Sequence, residues 1–250
     1  MNITAADEYQ CTMRPPESDD SVYKYYSEFA ESGAKSDLYS IFNPGELYMR
    51  QTRERVTLRM LKKLNQQGIR QKDILEVGCG RGHQIGEYLR WGALSTNITA
   101  IDLLPAFVDE SAARFPGCRI MEGSAMNLPV LDESFDIVSQ STVMSSIPAN
   151  ADRQQMADEM IRVLKPGGII LWSDFRLNSP GNKNVRKVSA QDIRKLFAGL
   201  EIHIKSNNLL PPLVRKIAPV SYTLTSLLDT VPLLHSHLRG VFIKKELPQK

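Results

Sequence analysis

Between residues 73 and 174 the sequence alternates short apolar runs with amphipathic segments, and this alternation restricts the chain to few folds. Five apolar runs have the length of buried strands: 73–77, 97–101, 118–121, 135–138 and 169–172. Three segments between them have helical periodicity: 83–91, 105–115 and 153–164. Strands that alternate with helices form βαβ units, whose parallel sheet is covered by helices on both faces. We therefore predict an α/β domain of three layers.

The chain before this region divides into two predicted parts. Residues 1–20 are polar and acidic, and we expect them to form a flexible tail. Residues 21–68 concentrate aromatic side chains and are predicted to form an N-terminal lid. Within it, apolar residues at helical spacing predict a helix over 46–67, which Gly68 ends.

Residues 69–250 form the predicted main domain, and its C-terminal part departs from the alternation. A helix is predicted over 189–200, and strands are predicted over 201–205 and 240–244. Between these strands an apolar stretch is interrupted by four prolines, so we assign residues 206–236 to a cap segment. Such a segment either covers a pocket or packs on the sheet, and the sequence favours neither.

Charge and cysteine content exclude several classes of protein. The formal net charge is only +3 and the basic residues are scattered among acids, which disfavours a nucleic-acid partner. The three cysteines are widely spaced, so neither a zinc site nor a disulfide framework is indicated. No secretion signal is evident, and no apolar run approaches the roughly 18–20 residues that span a bilayer. These features predict a cytoplasmic protein without a metal.

The first predicted strand runs into a glycine-rich loop that contains Gly78, Gly80 and Gly82. Glycine allows a sharp turn and a close approach of the backbone to a nucleotide-like ligand. Asp102 ends the next strand, at the spacing from which an acid reaches ribose hydroxyls. Glu76 beside the loop would repel a pyrophosphate but suits an ammonium or sulfonium group. The residues therefore favour S-adenosylmethionine over NAD. Two alternatives involve no ligand: the glycines only form a tight turn, or Asp102 only caps a helix.

Five motifs in succession resemble those of class I S-adenosylmethionine-dependent methyltransferases, which have a Rossmann-like fold. They are Glu76-Val-Gly-Cys-Gly-Arg-Gly, Ala100-Ile-Asp-Leu, Gly123-Ser-Ala-Met-Asn-Leu-Pro, Phe135-Asp-Ile-Val, and Arg162-Val-Leu-Lys-Pro-Gly-Gly with the strand after it. The match spans about residues 70 to 175. The resemblance implies a mostly parallel sheet of seven strands whose last strand is antiparallel, supplied by residues 241–244.

The resemblance also implies a set of cofactor-binding residues. Gly78, Cys79 and Gly80 would lie against the methionine part, together with Gln140 and Ser141. Asp102 would hold the ribose hydroxyls, with Leu103 against the adenine. Ser124 stands where the family often has an Asp that accepts from the adenine amino group, and Ala125 and Met126 would add backbone and apolar contacts.

Catalytic and substrate residues are less marked, because methyl transfer needs alignment more than acid–base chemistry. Many relatives have histidines at the positions of Ser145 and Ser146. Asp174 follows the fifth strand and is the candidate base or orienting group, unless it only pairs with Arg176. The further candidates for substrate contact are Tyr25, Tyr26, Arg176, Asn178, His235 and His237. On the predicted helix over 46–67, Arg50 and Arg53 either reach the cofactor carboxylate or remain solvated.

These features favour a methyltransferase that acts on a small molecule: a metabolite, a natural-product intermediate, or a sugar- or lipid-linked acceptor. A nucleic-acid methyltransferase is the alternative, although Gln140-Ser-Thr-Val replaces the expected Asn-Pro-Pro-Tyr-like motif. A binding protein that keeps the cofactor without turnover is a third interpretation. The apolar stretch over 209–234, with Arg215 and Lys216, also suggests peripheral contact with a membrane. O-, N- and C-methylation all remain open.

Overall fold

A computed structural model describes residues 23, 24, 26, 27, 39–178 and 185–246. The predicted tail of residues 1–20 lies outside the described residues, as does Tyr25.

Seven strands and seven helices are described in order along the chain. The strands are β1 (Ile74–Val77), β2 (Ile98–Asp102), β3 (Arg119–Glu122), β4 (Phe135–Ser141), β5 (Leu164–Phe175), β6 (Glu201–Leu209) and β7 (His235–Ile243). The helices are α1 (Pro44–Lys63), α2 (His83–Arg90), α3 (Pro105–Arg114), α4 (Asn150–Val163), α5 (Ala190–Leu196), α6 (Pro211–Ile217) and α7 (Tyr222–Leu228). Single 3-10 turns form at Ser95–Asn97, Met144–Ser146 and Pro232–Leu234.

All seven strands belong to one sheet, in the order β3-β2-β1-β4-β5-β7-β6. Strands β1 to β5 pair in parallel, and β7 is antiparallel to both of its neighbours. The predicted α/β fold, with its antiparallel final strand, is confirmed. The strand order reverses between β1 and β4, so the crevice for a ligand is expected at the carboxyl ends of the parallel strands around this point.

Several element boundaries differ from the predictions. Strand β6 extends to Leu209 and β7 begins at His235, so both ends of the predicted cap segment belong to the sheet, where they pair with each other. Two further differences have local reasons. Helix α1 ends at Lys63, four residues earlier than expected, because Asn65 takes a left-handed φ of 57°. Strand β5 begins at Leu164 instead of residue 169. Its pairing with β4 shifts register there. Gly167, at φ 76°, donates its N–H to the carbonyl of Lys244, just after β7, and Lys244 N donates to the Gly168 carbonyl. The predicted turn at residues 166–168 is therefore an irregularity within a strand.

Apolar side chains cover both faces of the sheet. On one face, α4 and α5 pack against β4, β5 and β7 around Trp172 and Phe242. On the other face, α1 and α2 pack against β1 and β2 around Ile74 and Tyr88. The predicted cap segment packs on the start of α1, where Val214 meets Tyr48. The carboxyl edge of the sheet is thereby left to the loops that follow the strands.

Candidate functional site

The glycine-rich loop after β1 turns through three left-handed residues. Gly78, Gly80 and Gly82 have φ values of 69°, 51° and 73°, a region that favours glycine. The N–H groups of Gly78 and Cys79 donate to the Ile101 carbonyl at 2.8 and 3.0 Å, which joins the loop to β2. The ends of the two strands therefore form one continuous edge.

The first two glycines of the loop have different surroundings. A Cβ on Gly78 would lie 2.3 Å from Val143 Cγ2, so this glycine is needed for the loop after β4 to pack against it. A Cβ on Gly80 would have no described atom within 4 Å. Among the described residues, open space thus lies next to Gly80 and leaves room for a ligand.

Asp102 ends β2 beside that space. One carboxylate oxygen accepts from Gly80 N at 2.7 Å and the other from Leu104 N at 3.0 Å. Burial raises the pKa of Asp102, and the amide donors oppose this shift. Each carboxylate oxygen can accept more than one hydrogen bond, so acceptor capacity remains for two hydroxyl groups of a ligand.

The residues after β3 extend the same edge. Gly123 N donates to the Asp102 carbonyl at 2.9 Å, which places the turn from Ser124 to Asn127 beside β2. Ser124 Oγ accepts from Met126 N at 3.2 Å, and the Met126 side chain is buried. Ser124, Ala125 and Met126, expected at the adenine, therefore lie in one short turn next to the Asp102 strand end.

Glu76 is directed into the protein interior and away from the loop. Its carboxyl group accepts hydrogen bonds from Tyr88 and Ser139, and all three side chains are buried. Burial raises the pKa of Glu76 to about 7, while the two hydroxyl donors oppose the shift. The sequence analysis did not identify Tyr88 or Ser139. A tyrosine on the buried face of a helix and a serine within an apolar strand were the available signals.

A cluster of arginines surrounds the start of α2. Burial lowers the pKa of His83 to about 4, helped by the positive charges of Arg50, Arg114 and Arg53. Arg50 is bonded to Glu46 and to the Tyr39 carbonyl, whereas Arg53 lies 3.6 Å from Glu87. The Nε of Arg53 is buried and has no partner among the described residues. An anionic group would satisfy this donor.

Arg239 is a second buried cation that the sequence analysis missed. It lies on β7 under α1 and donates to Thr57 Oγ1 at 2.8 Å and to Ser173 Oγ at 3.0 Å. Its Nε is buried without a partner in the described part of the chain. Burial, together with the nearby charge of Arg53, lowers the pKa of Arg239 to about 9. Arg239 precedes the strand predicted over 240–244, so the sequence did not indicate that it is buried.

The loop after β4 is held by hydrogen bonds to its own main chain and to β5. Gln140 accepts from Val143 N at 3.0 Å and donates to the Ser173 carbonyl at 3.3 Å. Thr142 follows Ser141 with a left-handed φ of 63° and donates its N–H to the same Ser173 carbonyl. Gln140 and Ser141, the predicted contacts of the methionine part, thus begin a tightly bent loop that packs on Gly78.

Asp174 supports this loop from beneath. It is completely buried, and its two oxygens accept from Ser145 N at 3.0 Å and from Phe175 N at 2.8 Å. Burial raises the pKa of Asp174 to about 6, and these hydrogen bonds oppose the shift. Arg176 does not pair with it: the guanidinium donates to the Pro232 carbonyl at 2.8 Å.

The remaining candidates lie around β5, β7 and the lid. Asn178 accepts from Lys187 N at 2.9 Å. His235 is buried between Ser206 and the Asp229 carbonyl. His237 is half-buried against the Phe175 ring, and burial lowers its pKa to about 3. Tyr26 Oη lies 2.5 Å from Ser146 Oγ, which links this residue of the predicted lid to the loop after β4.

Residues 75–172 match a protein-family model described as a methyltransferase domain. A phthiotriol/phenolphthiotriol dimycocerosates methyltransferase from Mycobacterium leprae is 35% identical over 114 residues, which cover 45% of this chain and 40% of the relative. The chain therefore spans less than half the length of this curated relative.

Solved structures extend the likeness over most of the chain. The crystal structure of an S-adenosylmethionine-dependent methyltransferase from Mesorhizobium loti aligns with a TM-score of 0.55 at 16% identity, covering 74% of this chain and 96% of that one. The [4+2]-cyclase SpnF aligns equally well, with a TM-score of 0.55 at 20% identity over 78% of this chain and 81% of its own. At these identities the likeness concerns the fold alone.

Proposed function

Residues 75–172 match a methyltransferase domain, and we propose that this chain is a class I, Rossmann-like S-adenosylmethionine-dependent methyltransferase that transfers a methyl group from S-adenosylmethionine to a small molecule. The observation that carries the proposal is the edge formed by Gly80 and Asp102. A carboxylate with unused acceptor capacity adjoins open space there, beside the point between β1 and β4 where the strand order reverses.

The residues around this edge fit the proposed cofactor. The space next to Gly80 would receive the adenosyl group, and the Asp102 carboxylate would accept from its two ribose hydroxyls. Leu103 and the turn over Ser124–Asn127 would contact the adenine. The unpartnered Arg53 Nε would donate to the cofactor carboxylate, since a buried donor without a partner is costly.

We assign Gly78, Cys79, Gln140 and Ser141 to the methionine part of the cofactor. Gly78 and Val143 are in contact, which brings the loops after β1 and β4 together where the transferred group would lie. Glu76 lies below this point and acts through Tyr88 and Ser139 by fixing β1, α2 and β4 relative to one another.

When bound, S-adenosylmethionine supplies an electrophilic methyl group on a sulfonium. The task left to this chain is to align the acceptor and to exclude water. Asp174 has a positioning role in this proposal and does not act as a base. Both of its oxygens accept from main-chain N–H groups, and none of its surface is exposed. It fixes Ser145 by accepting from the N–H of that residue.

We further propose that the acceptor is apolar or lipid-linked. The name of the Mycobacterium leprae relative supports this class. Near the end of β5, His237 packs on the Phe175 ring, and with a pKa of about 3 it adds no charge there at physiological pH. The other residues that we propose to contact the acceptor, or to hold residues that contact it, are Arg176, Asn178, His235, Tyr25 and Tyr26.

Isothermal calorimetry tests the cofactor. We expect S-adenosylmethionine and S-adenosylhomocysteine to bind with 1:1 stoichiometry and NAD to give no heat. Binding of NAD, but of neither adenosyl compound, would overturn the proposal.

The acceptor class is tested with S-adenosylmethionine that is labelled on the methyl group. The protein is incubated with lipid and aqueous fractions of the same cell extract, and label is counted after phase separation. We expect transfer into the organic phase. Label found only in the aqueous phase contradicts the acceptor class but leaves methyl transfer intact.

A further inference from the structure

The segment from α6 to the start of β7 presents apolar side chains to solvent. Val220, Leu227 and Leu233 are 86%, 65% and 80% exposed, and Leu224 and Val231 are also exposed. We call these five residues the C-terminal apolar surface. Phe42, which is 91% exposed, adjoins it, because Tyr222 at the start of α7 donates to the carbonyl of Pro44 at 3.1 Å.

Charge is almost absent from this segment. Between residues 217 and 234 the only charged side chain is Asp229, and it points inward, where it accepts from Leu209 N and Tyr48 Oη. The exposed polar groups among these residues are hydroxyls, such as those of Tyr222 and Thr223. Large exposed apolar patches mark interaction sites, and tyrosine is common where proteins meet the headgroup layer of a membrane.

Cations border the surface without acidic counterparts. Lys216 is exposed at the end of α6, and Arg176 donates to the Pro232 carbonyl on the other side. No exposed Asp or Glu lies between residues 210 and 234, all of which are described. A second copy of this surface would therefore bring like charges together across a two-fold axis, with no acid to balance them. An anionic lipid surface complements both the apolar side chains and the cations.

We propose that the C-terminal apolar surface docks the protein on anionic lipid bilayers. Leu224, Leu227 and Leu233 enter the interface between headgroups and acyl chains, while Lys216 contacts the headgroups. The contact is peripheral, and no helix among the described residues is long and apolar enough to cross a bilayer. This docking is independent of the proposed methyl transfer.

Co-sedimentation with vesicles tests the docking, using the full chain without cofactor. Vesicles of phosphatidylcholine alone are compared with vesicles that also contain phosphatidylglycerol. We expect binding to the anionic vesicles that weakens as salt is raised, because the charges involved are exposed. The double variant Leu224→Ser/Leu227→Ser is expected to bind about tenfold more weakly, because it removes apolar side chains from the interface. Lys216→Glu is expected to weaken binding to anionic vesicles about fivefold.

Leu131→Ser is the matched control. Leu131 is 70% exposed but lies beside Asp132, far from α6 and α7 in the chain, and its replacement is expected to leave vesicle binding unchanged. Thermal unfolding and binding of S-adenosylhomocysteine establish that every variant is folded.

Two results would overturn the docking. One is that the wild-type chain stays in the supernatant with both kinds of vesicle. In that case, a dimer seen by sedimentation velocity for the wild type but not for the leucine variant would show that the surface binds a second copy instead. The other is that all variants bind vesicles as the wild type does. A chain that sediments with vesicles but binds no adenosyl compound would support the docking and refute the methyltransferase proposal.

Discussion

The carboxyl ends of β2 and β5 make an informative comparison, because each strand ends in a buried aspartate that accepts from two main-chain N–H groups. Asp102 accepts from Gly80 and Leu104, and Asp174 accepts from Ser145 and Phe175. At β2 the carboxylate adjoins the open space over Gly80. At β5 it is sealed under the loop that it supports.

The difference shows that the position of a strand-end acid in the topology does not determine its role. What separates the two aspartates is the residue that donates to them. Gly80 has no side chain, so a ligand can approach the carboxylate, whereas the Ser145 loop closes over Asp174. We therefore expect Asp102 to matter for ligand binding and Asp174 for the shape of the site.

The largest effect is expected at Gly78, where the loop after β1 contacts the loop after β4. Gly78→Ala places a methyl group 2.3 Å from Val143 Cγ2 at a left-handed φ, and it should lower the free energy of unfolding by about 3 kcal/mol or more. Gly80→Ala has the same backbone strain but no clash, so a loss of about 1–2 kcal/mol is expected. Urea unfolding measures both values.

Ligand binding separates the same two glycines further. The methyl group of Gly80→Ala enters the open space, so we expect S-adenosylhomocysteine to bind at least about tenfold more weakly, a difference of about 1.4 kcal/mol. Equal affinity of Gly80→Ala and the wild-type chain would show that the cofactor lies elsewhere.

A third buried carboxyl sharpens the comparison, because its donors are hydroxyl groups instead of amides. The pKa of Glu76 rises from 4.5 unfolded to about 7 in the folded chain. The stability that this group contributes is therefore fully present below pH 4.5 and is lost as the pH rises through about 7. From the shift, the loss amounts to roughly 3 kcal/mol.

Glu76→Gln should remove this dependence, because glutamine also bonds to hydroxyl groups but carries no charge. We expect the variant to gain stability over the wild type between pH 5 and pH 8 (on the order of the full loss). Urea unfolding at both pH values gives the difference. A constant gap between variant and wild type would mean that Glu76 does not titrate in this range.

The two aspartates are then compared directly by calorimetry. Asp102→Ala is expected to weaken S-adenosylhomocysteine binding by about 1–3 kcal/mol, the range for buried polar groups that lose a partner. Asp174→Asn should leave that affinity within about twofold, a difference well under 1 kcal/mol. If Asp174→Asn weakened binding as much as Asp102→Ala, the two aspartates would not have the different roles expected for them.

The smallest effect is expected at the link between the lid and the loop after β4. Tyr26→Phe removes the hydroxyl that lies 2.5 Å from Ser146 Oγ, and it should cost about 1 kcal/mol of unfolding free energy. Ser146→Ala serves as the partner variant. The double variant should lose less than the sum of the two single losses, and strict additivity would show that the two hydroxyls do not interact.

Much of the fold was predictable from the sequence because its signals are local. The apolar runs and the glycines around β1 and β2 identify strands and turns within a few residues of their observed bounds. The start of β5 was not predictable in this way. Leu164 to Gly168 pair with β4 and the end of β7 through long-range hydrogen bonds, and the Pro-Gly-Gly sequence predicts a turn.

The candidate site was predictable only in part, for the same reason. The convergence of Gly80 and Asp102 follows from neighbouring parallel strands. Ser139 is 63 residues from Glu76 and Ser145 is 29 residues from Asp174, so the sequence did not show that these groups meet. Arg239 precedes the strand predicted over 240–244, and its partners Thr57 and Ser173 lie 182 and 66 residues away.

The donors that organise the edge of β1 and β2 are main-chain N–H groups, on Gly78, Cys79, Gly80, Leu104 and Gly123. Main-chain donors persist when a side chain is exchanged. The side chains around this edge can therefore change under selection while the main chain of the site keeps its shape. A laboratory that wished to redirect the protein toward new acceptors would leave residue 102 and the loop glycines untouched and randomise the neighbouring side chains.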